Sequence, residues 1–100
     1  MIRHTVVFKL KHAAGSLAEM EFLKEARNLA AISTVKNFEC LRQISKKNIY
    51  DFGLSMEFSC LKDYQFYNEH PDHIRFVQAR WIPEVSDFLE IDYEPFPPGE

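Results

Sequence analysis

The sequence predicts an α+β domain of the ferredoxin-like type, with one four-stranded antiparallel sheet and helices on one face of it. Alternating apolar and polar residues mark four strand segments, and stretches with helical spacing separate them in the order strand, helix, strand, strand, helix, strand. The 100 residues, of which 46% are hydrophobic, are enough for one domain with a modest core.

The first half of this pattern is a strand followed by an amphipathic helix. From Ile2 to Lys11 nearly every second residue is apolar, and His4 falls on the same inward face. After Gly15, the stretch Ser16-Leu17-Ala18-Glu19 fits a capping box, in which a serine and a glutamate satisfy free backbone donors at a helix start. We therefore expect a half-buried strand and then a helix from Leu17 to about Ile32.

Two strands joined by a polar turn follow the first helix. The first should run from about Lys36 to Ile44, and the turn lies near Lys47. The second has the strongest alternation in the chain, because one of its faces is entirely apolar: Tyr50, Phe52, Leu54, Met56 and Phe58. This strand should therefore be central in the sheet.

The last third of the chain should contain two helices, one strand and an extended tail. The helices are expected at about 61–69 and 72–81, and the strand at about 86–93. Proline recurs from Pro95 onward, which is typical of an extended segment. We therefore divide the chain into a domain at 1–94 and a proline-rich tail at 95–100.

The densest group of side chains that transfer or orient protons lies between Tyr67 and Phe76. Pro71 disfavours helical geometry at His70 and suits the first turn of a new helix. His73 would then lie in that first turn, where the positive end of the helix dipole favours a neutral ring that can act as a base. His70 would lie at the end of the preceding helix, where a cation is favoured.

Two kinds of role are open for this group. In a structural role, His70 caps a helix end, His73 bonds the adjacent backbone and Tyr67 fills the core. In the other, the same side chains bind a ligand or transfer a proton. We expect no metal site, because a His-x-x-His pair supplies only two ligands and no second cluster in the sequence completes a tetrahedral set.

Charge and composition argue against several classes of partner. The net charge is −3, and the longest run of basic residues is Lys46-Lys47, so neither nucleic acid nor an anionic membrane is an expected partner. The three glycines are isolated, which argues against a nucleotide-binding loop. The N-terminus alternates from Ile2 and lacks the apolar run of a signal peptide, so we expect a cytoplasmic protein.

Three stretches together resemble the stress-responsive A/B barrel family, the dimeric α+β barrel domains called Dabb. They are the first strand, Ile2–Lys11, the motif Tyr67-x-x-His70-Pro71-x-His73, and the closing segment Phe88–Tyr93. The resemblance implies a homodimer in which two sheets pack face to face into a barrel. It also implies that a small-molecule pocket lies between the sheet and the helices of each subunit.

A plant polyketide cyclase in this family suggests roles for individual residues. The resemblance implies that His73 acts as acid and base in an aldol closure, with Tyr67 beside it. His4 matches a histidine of the first strand; its structural alternative is a core residue that donates to a backbone carbonyl. Phe52 stands where the cyclase has a histidine, which implies a more apolar pocket. Substrate contacts are therefore expected at His4, Phe52 and His70.

The resemblance leaves three functional classes open. Most family members have no assigned reaction, so the first is a homodimer that binds a small apolar or carbonyl-containing ligand. The second is a cofactor-independent cyclase-like or isomerase-like enzyme, in which His73 removes a proton next to a carbonyl and Tyr67 donates to the developing enolate. The third is a cofactor-free or haem-dependent oxygenase, for which the sequence offers no further support. We expect no cofactor.

Overall fold

The computed structural model describes residues 1–98, and its four strands form one antiparallel sheet. The strands are β1 (Ile2–Leu10), β2 (Lys36–Arg42), β3 (Phe52–Phe58) and β4 (Val85–Tyr93). Their order across the sheet is β2-β3-β1-β4, which places β1 and β3 in the centre. The predicted order of elements, the ferredoxin-like fold class and the central position of β3 are confirmed.

The helical segments begin with α1 (Leu17–Arg27), which a 3₁₀ turn continues over Asn28–Ala31. The remaining segments follow β3: α2 (Leu61–Glu69), α3 (Pro71–Phe76), a π-helical turn (Val77–Trp81) and α4 (Ile82–Glu84). The helix predicted to reach Ile32 therefore ends earlier as an α-helix. The tighter turn places Leu29 and Ile32 three residues apart on one side, and both are buried.

The start of α1 differs in one contact from the predicted capping box. The Ser16 hydroxyl oxygen accepts from the Glu19 backbone N–H at 3.2 Å, as expected. The Glu19 carboxylate accepts from the backbone N–H of Gly15 at 3.1 Å instead of that of Ser16. The reason is that the Ser16 N–H already donates to the Ala13 carbonyl, at 3.1 Å.

The second strand ends at Arg42, earlier than predicted, and Gln43 holds the turn that follows, with its backbone N–H donating to the Asp51 carbonyl at 2.8 Å. The Gln43 amide donates to the backbone carbonyls of Tyr50, at 2.6 Å, and Ser45, at 3.0 Å. These bonds close the turn immediately after Arg42. Ile44, the predicted last residue of this strand, is consequently 87% exposed.

The core lies between the inner face of the sheet and the helices. The largest of the fully buried side chains there are Phe8, Phe22, Met56 and Phe58. The Phe22 ring of α1 packs between two others, with ring centroids 5.8 Å from Phe8 and 5.5 Å from Phe76. Such burial of large side chains is the main source of stability in a domain of this size.

The outer face of the sheet carries a row of apolar and small residues, which we call the apolar row. The strand register aligns one residue of each strand: Leu41 opposite Gly53, Gly53 opposite Val7, and Val7 opposite Leu89. Leu41 is 45% exposed and Leu89 is 48% exposed. Between them Val7 is half-buried and Gly53 is buried, so the exposed apolar surface of the row lies at Leu41 and Leu89. Exposed apolar surface of this kind commonly marks an interaction site.

The chain beyond β4 is described as far as Pro98. Phe96 is 92% exposed, so this segment adds little to the core. The remainder of the predicted tail, residues 99–100, lies outside the described residues. Within 1–98, none of the helices has both the length and the apolar character that crossing a bilayer would require.

Candidate active site

A cavity of about 350 Å³ lies between the inner face of the sheet and the helical segments after β3. Much of its wall is apolar and comes from Val6, Leu54, Met56, Phe76, Val77 and Trp81. The polar residues of the wall are His4, Tyr67, Asn68, His73 and Glu90. The mixture of an apolar wall and a few polar groups is typical of small-molecule sites.

His73 is held by the backbone in a form that can act as a base. Its Nδ1 lies 3.1 Å from the Asn68 carbonyl oxygen, which can only accept, so Nδ1 donates and the neutral ring keeps Nε2 unprotonated. Burial lowers the pKa of His73 below its ordinary 6.5, and the bond to Asn68 opposes that change. The predicted neutral ring is therefore supported, with burial as its main cause.

Tyr67 lies directly beside His73, with ring centroids 4.4 Å apart. It is 2% exposed. Burial, together with the charge of Glu90, raises the pKa of its hydroxyl above the ordinary 10.0, so the hydroxyl keeps its proton. No hydrogen bond joins this hydroxyl to another group within residues 1–98, which leaves the proton available to a molecule in the cavity.

His4 is anchored by a carboxylate. The residue is 6% exposed, and its Nδ1 lies 2.6 Å from Oδ1 of Asp92. Since Asp92 stands opposite His4 in the register of β1 and β4, the sheet itself brings the two together. The structural alternative in which His4 donates to a backbone carbonyl is therefore wrong, because the carboxylate occupies the acceptor position.

A tyrosine that the sequence analysis did not single out completes this cluster. The Tyr64 hydroxyl lies 2.9 Å from His4 Nδ1, 2.9 Å from Asp92 Oδ2 and 3.2 Å from Glu90 Oε1. Burial, then the hydrogen bond and charge of Asp92 and the charge of Glu90, raise the pKa of Tyr64. We refer to His4, Tyr64, Glu90 and Asp92 as the His4 cluster.

The cluster contains donors of the kind that bind metal ions. The ligand atoms of His4, Glu90 and Asp92 lie within 4.8 Å of one another, a grouping that the sequence analysis did not foresee. Asp92 is already hydrogen-bonded to His4, and both carboxylates are bonded to Tyr64. The cluster is thus internally satisfied as hydrogen-bonded polar groups.

The structure places two predicted substrate contacts away from the cavity wall. His70 is the N-cap of α3, where its Nδ1 accepts from the Asp72 backbone N–H at 3.1 Å. This contact is the helix-capping role given above as the structural alternative for His70. Phe52 instead packs on Phe8, with centroids 6.0 Å apart, and beneath the Arg42 guanidinium, 5.6 Å from its ring.

Comparison with known proteins agrees with this fold. The profile of the family described as the stress responsive A/B barrel domain, Dabb, matches residues 2–95. A stress-response A/B barrel domain-containing protein of Arabidopsis thaliana is 27% identical over 95 residues, which are 93% of this chain. The match spans 36% of the Arabidopsis protein, so this chain corresponds to about a third of its length.

Solved structures share the arrangement at widely different sequence identities. A Dabb family protein with a ferredoxin-like fold from Mesorhizobium loti is 60% identical, with a TM-score of 0.93 over 94% of this chain and 95% of the other. The Passiflora edulis hydroxynitrile lyase is 16% identical, with a TM-score of 0.81 over 96% of both chains. A dimeric Bacteroides fragilis protein of unknown function is 22% identical, with a TM-score of 0.72 over 94% and 95%. The last two likenesses show the fold alone, whereas the profile match covers nearly the whole sequence, and the chain belongs to the stress-responsive A/B barrel (Dabb) family.

Proposed function

We propose that the cavity binds a small, largely apolar molecule with a carbonyl group, and that His73 and Tyr67 move a proton at the carbon beside that carbonyl. One observation carries this proposal: a histidine whose Nδ1 donates to the backbone and a tyrosine hydroxyl with no hydrogen-bond partner among residues 1–98 line the same cavity, with their rings 4.4 Å apart. Base and hydrogen-bond donor are the two groups that enolate formation requires.

The two residues have complementary roles in this reaction. Nε2 of His73 accepts the proton from carbon, while the hydroxyl of Tyr67 donates a hydrogen bond to the oxygen that becomes negative. The high pKa of Tyr67 keeps it a donor as that charge develops. If His73 returns the proton to another carbon of the enolate, the product is an isomer. If the enolate carbon instead attacks a second carbonyl of the same molecule, a carbon–carbon bond forms, the attacked carbonyl becomes an alkoxide, and His73 returns the proton to that oxygen. Each contribution is typically worth about 10²–10⁴ in rate.

The second candidate function is binding without turnover. It is favoured by the backbone bond from His73 to Asn68, since that bond also stabilises the break between α2 and α3. The name of the Passiflora edulis protein indicates that this fold can carry a lyase activity, but a shared fold does not transfer a reaction. In this second candidate function, the cavity binds a small molecule and no reaction follows.

The decisive measurement is exchange of carbon-bound protons. Benzylacetone, a small ketone with an apolar ring, is incubated with the protein in deuterium oxide, and NMR follows the loss of the protons beside its carbonyl. We expect His73→Ala to abolish the protein-dependent exchange and Tyr67→Phe to slow it about 10²-fold or more. His12→Gln is the matched control, because His12 is also a partly buried histidine but does not line the cavity.

Two results would contradict the catalytic proposal. Proton exchange that continues in the His73→Ala variant would show that His73 is not the base. Benzylacetone that shifts the NMR signals of Tyr67 and His73 without any exchange would support the binding-only candidate.

We also propose that the chain forms a homodimer through the apolar row. The row leaves Leu41 and Leu89 about half exposed in one protomer, and a second sheet packed on it would bury them. Relatives of the same fold from Bacteroides fragilis and Thermobifida fusca are described as dimeric. Leu89→Lys should give a monomer in sedimentation velocity, whereas Met20→Lys on exposed α1 surface should not. An unchanged mass for Leu89→Lys would contradict this interface.

A further inference from the structure

We propose that Glu90 makes the cavity select ligands by charge. Amines should bind most tightly, neutral alcohols and ketones less tightly, and carboxylates should be excluded. This inference rests on the proposed function above, since it concerns the same cavity and names the class of ligand. Glu90 would be the specificity-determining residue and would accept a hydrogen bond from an ammonium or hydroxyl group of the ligand, whereas a ketone oxygen would accept from Tyr67.

The position of Glu90 supports this role. Among the described residues that line the cavity, Glu90 is the one carboxylate. Its Oε1 accepts from the Tyr64 hydroxyl at 3.2 Å, which fixes the carboxylate, while its side chain stays 50% exposed. A half-exposed carboxylate held at a cavity wall is free to accept a further hydrogen bond from a bound molecule.

The charge balance of the His4 cluster also favours a cationic ligand. Glu90 lies 3.7 Å and Asp92 lies 2.6 Å from His4 Nδ1, and neither carboxylate has a lysine or arginine partner among residues 1–98. Two carboxylates therefore share one imidazole. The cluster is negative whether His4 is protonated or neutral, so it attracts a cation and repels an anion.

The aromatic residues beside Glu90 add to this preference. Phe88 precedes Glu90 by two residues on the same face of β4, and its ring lies 5.6 Å from the centroid of Trp81. Both rings line the cavity. The faces of aromatic rings attract cations through their quadrupole, whereas a carboxylate placed there would lose water and lie beside the negative charge of Glu90.

The test uses three probes that share a phenyl ring: phenethylamine, phenethyl alcohol and phenylacetate. Calorimetry at neutral pH and low salt should give affinities in that order, with at least about a tenfold difference between the amine and the carboxylate. Glu90→Gln should reduce this difference to a few-fold, because the amide oxygen still accepts from Tyr64 but the charge is gone. Glu21→Gln, an equal charge change on exposed surface of α1, should leave the order unchanged.

Each outcome bears on a defined part of the proposal. Equal affinities for the three probes, or an order that Glu90→Gln does not alter, would overturn charge selection and leave the reaction of His73 untouched. If none of the probes shifts the NMR signals of Tyr67 and His73, charge selection falls, and the exchange of benzylacetone decides the catalytic proposal separately. Proton exchange that fails while the order of affinities holds would remove the catalytic proposal alone.

Discussion

Strand β1 has a histidine–carboxylate cluster at each end, and the two clusters differ in charge balance. Near the start of the strand, His4 faces two carboxylates. Beyond its end, His12 Nε2 lies 2.6 Å from Glu84 Oε1, and Arg80 Nε lies 2.6 Å from Oε2 of the same carboxylate. One cluster has more acids than bases and borders the cavity. The other has more bases than acids and does not line it.

The comparison separates a structural use of these residue types from a functional one. Glu84 ties the end of β1 to the π-helical turn and α4, and its backbone carbonyl also accepts from Lys11 N–H at 2.8 Å. Its carboxylate is compensated by His12 and Arg80, so its charge is used within the fold. In the His4 cluster two carboxylates face one imidazole, and the proposed selection of ligands by charge uses this surplus.

The largest expected effect is on stability and tests this difference directly. Glu84→Ala should lower the free energy of unfolding by about 1.5–3 kcal/mol, because it leaves Arg80 and His12 without their acceptor. Glu90→Ala should cost less than about 1 kcal/mol, because the half-exposed carboxylate gives up one bond. Urea denaturation measures both values. A larger loss for Glu90→Ala than for Glu84→Ala would invert the assignment of the two clusters.

An intermediate effect is expected at the centre of the His4 cluster. Tyr64→Phe keeps the ring stacked on Phe58, with centroids 4.9 Å apart, and removes the hydroxyl shared by His4 and both carboxylates. The loss should be about 1 kcal/mol in urea denaturation. Tyr93→Phe, at an exposed position of β4, is the control and should change little. No measurable loss for Tyr64→Phe would mean that water replaces the hydroxyl at no cost.

The smallest expected effect is a pH dependence of the free energy of unfolding. It arises from His73, which belongs to neither cluster. Since burial lowers the pKa of His73 in the folded protein, the unfolded chain binds the proton first as the pH falls. The contribution of neutral His73 to the free energy of unfolding is complete above about pH 6.5, the pKa of histidine in the unfolded chain. It declines as the pH falls through the lower pKa that His73 has in the folded protein. His73→Asn should weaken this decline, measured as urea midpoints at about pH 7.5 and about pH 5.5. An unchanged decline would assign it to another histidine.

Much of the fold could be predicted because its signals are local. Alternation identifies a strand within a few residues, and the Ser16 cap and Pro71 mark helix starts at the residues observed. The ends of helices were harder, because the hydrogen bonds of a 3₁₀ or π-helical turn differ from those of an α-helix by one residue in their span. Over four or five residues, as at Asn28–Ala31 and Val77–Trp81, apolar spacing does not distinguish them.

The candidate site likewise has one part that could be predicted from the sequence and one part that could not. Tyr67 and His73 could be predicted together, because they lie six positions apart in the sequence and a helix break joins them. Tyr64, Glu90 and Asp92 could not, because their contact with His4 depends on the register of β1 against β4 and on the helix that packs above it. A weak signal was present: on the inward face of β4, where apolar residues are expected, positions 90 and 92 are acidic.

The π-helical turn has a practical consequence for following this cavity in solution. It places Trp81 in the cavity wall, and Trp81 is the single tryptophan of the 100-residue sequence. All indole fluorescence of the chain therefore originates at the candidate site. A molecule that displaces water from the indole should move the emission to shorter wavelength, so occupancy of the cavity can be read optically from the unlabelled protein.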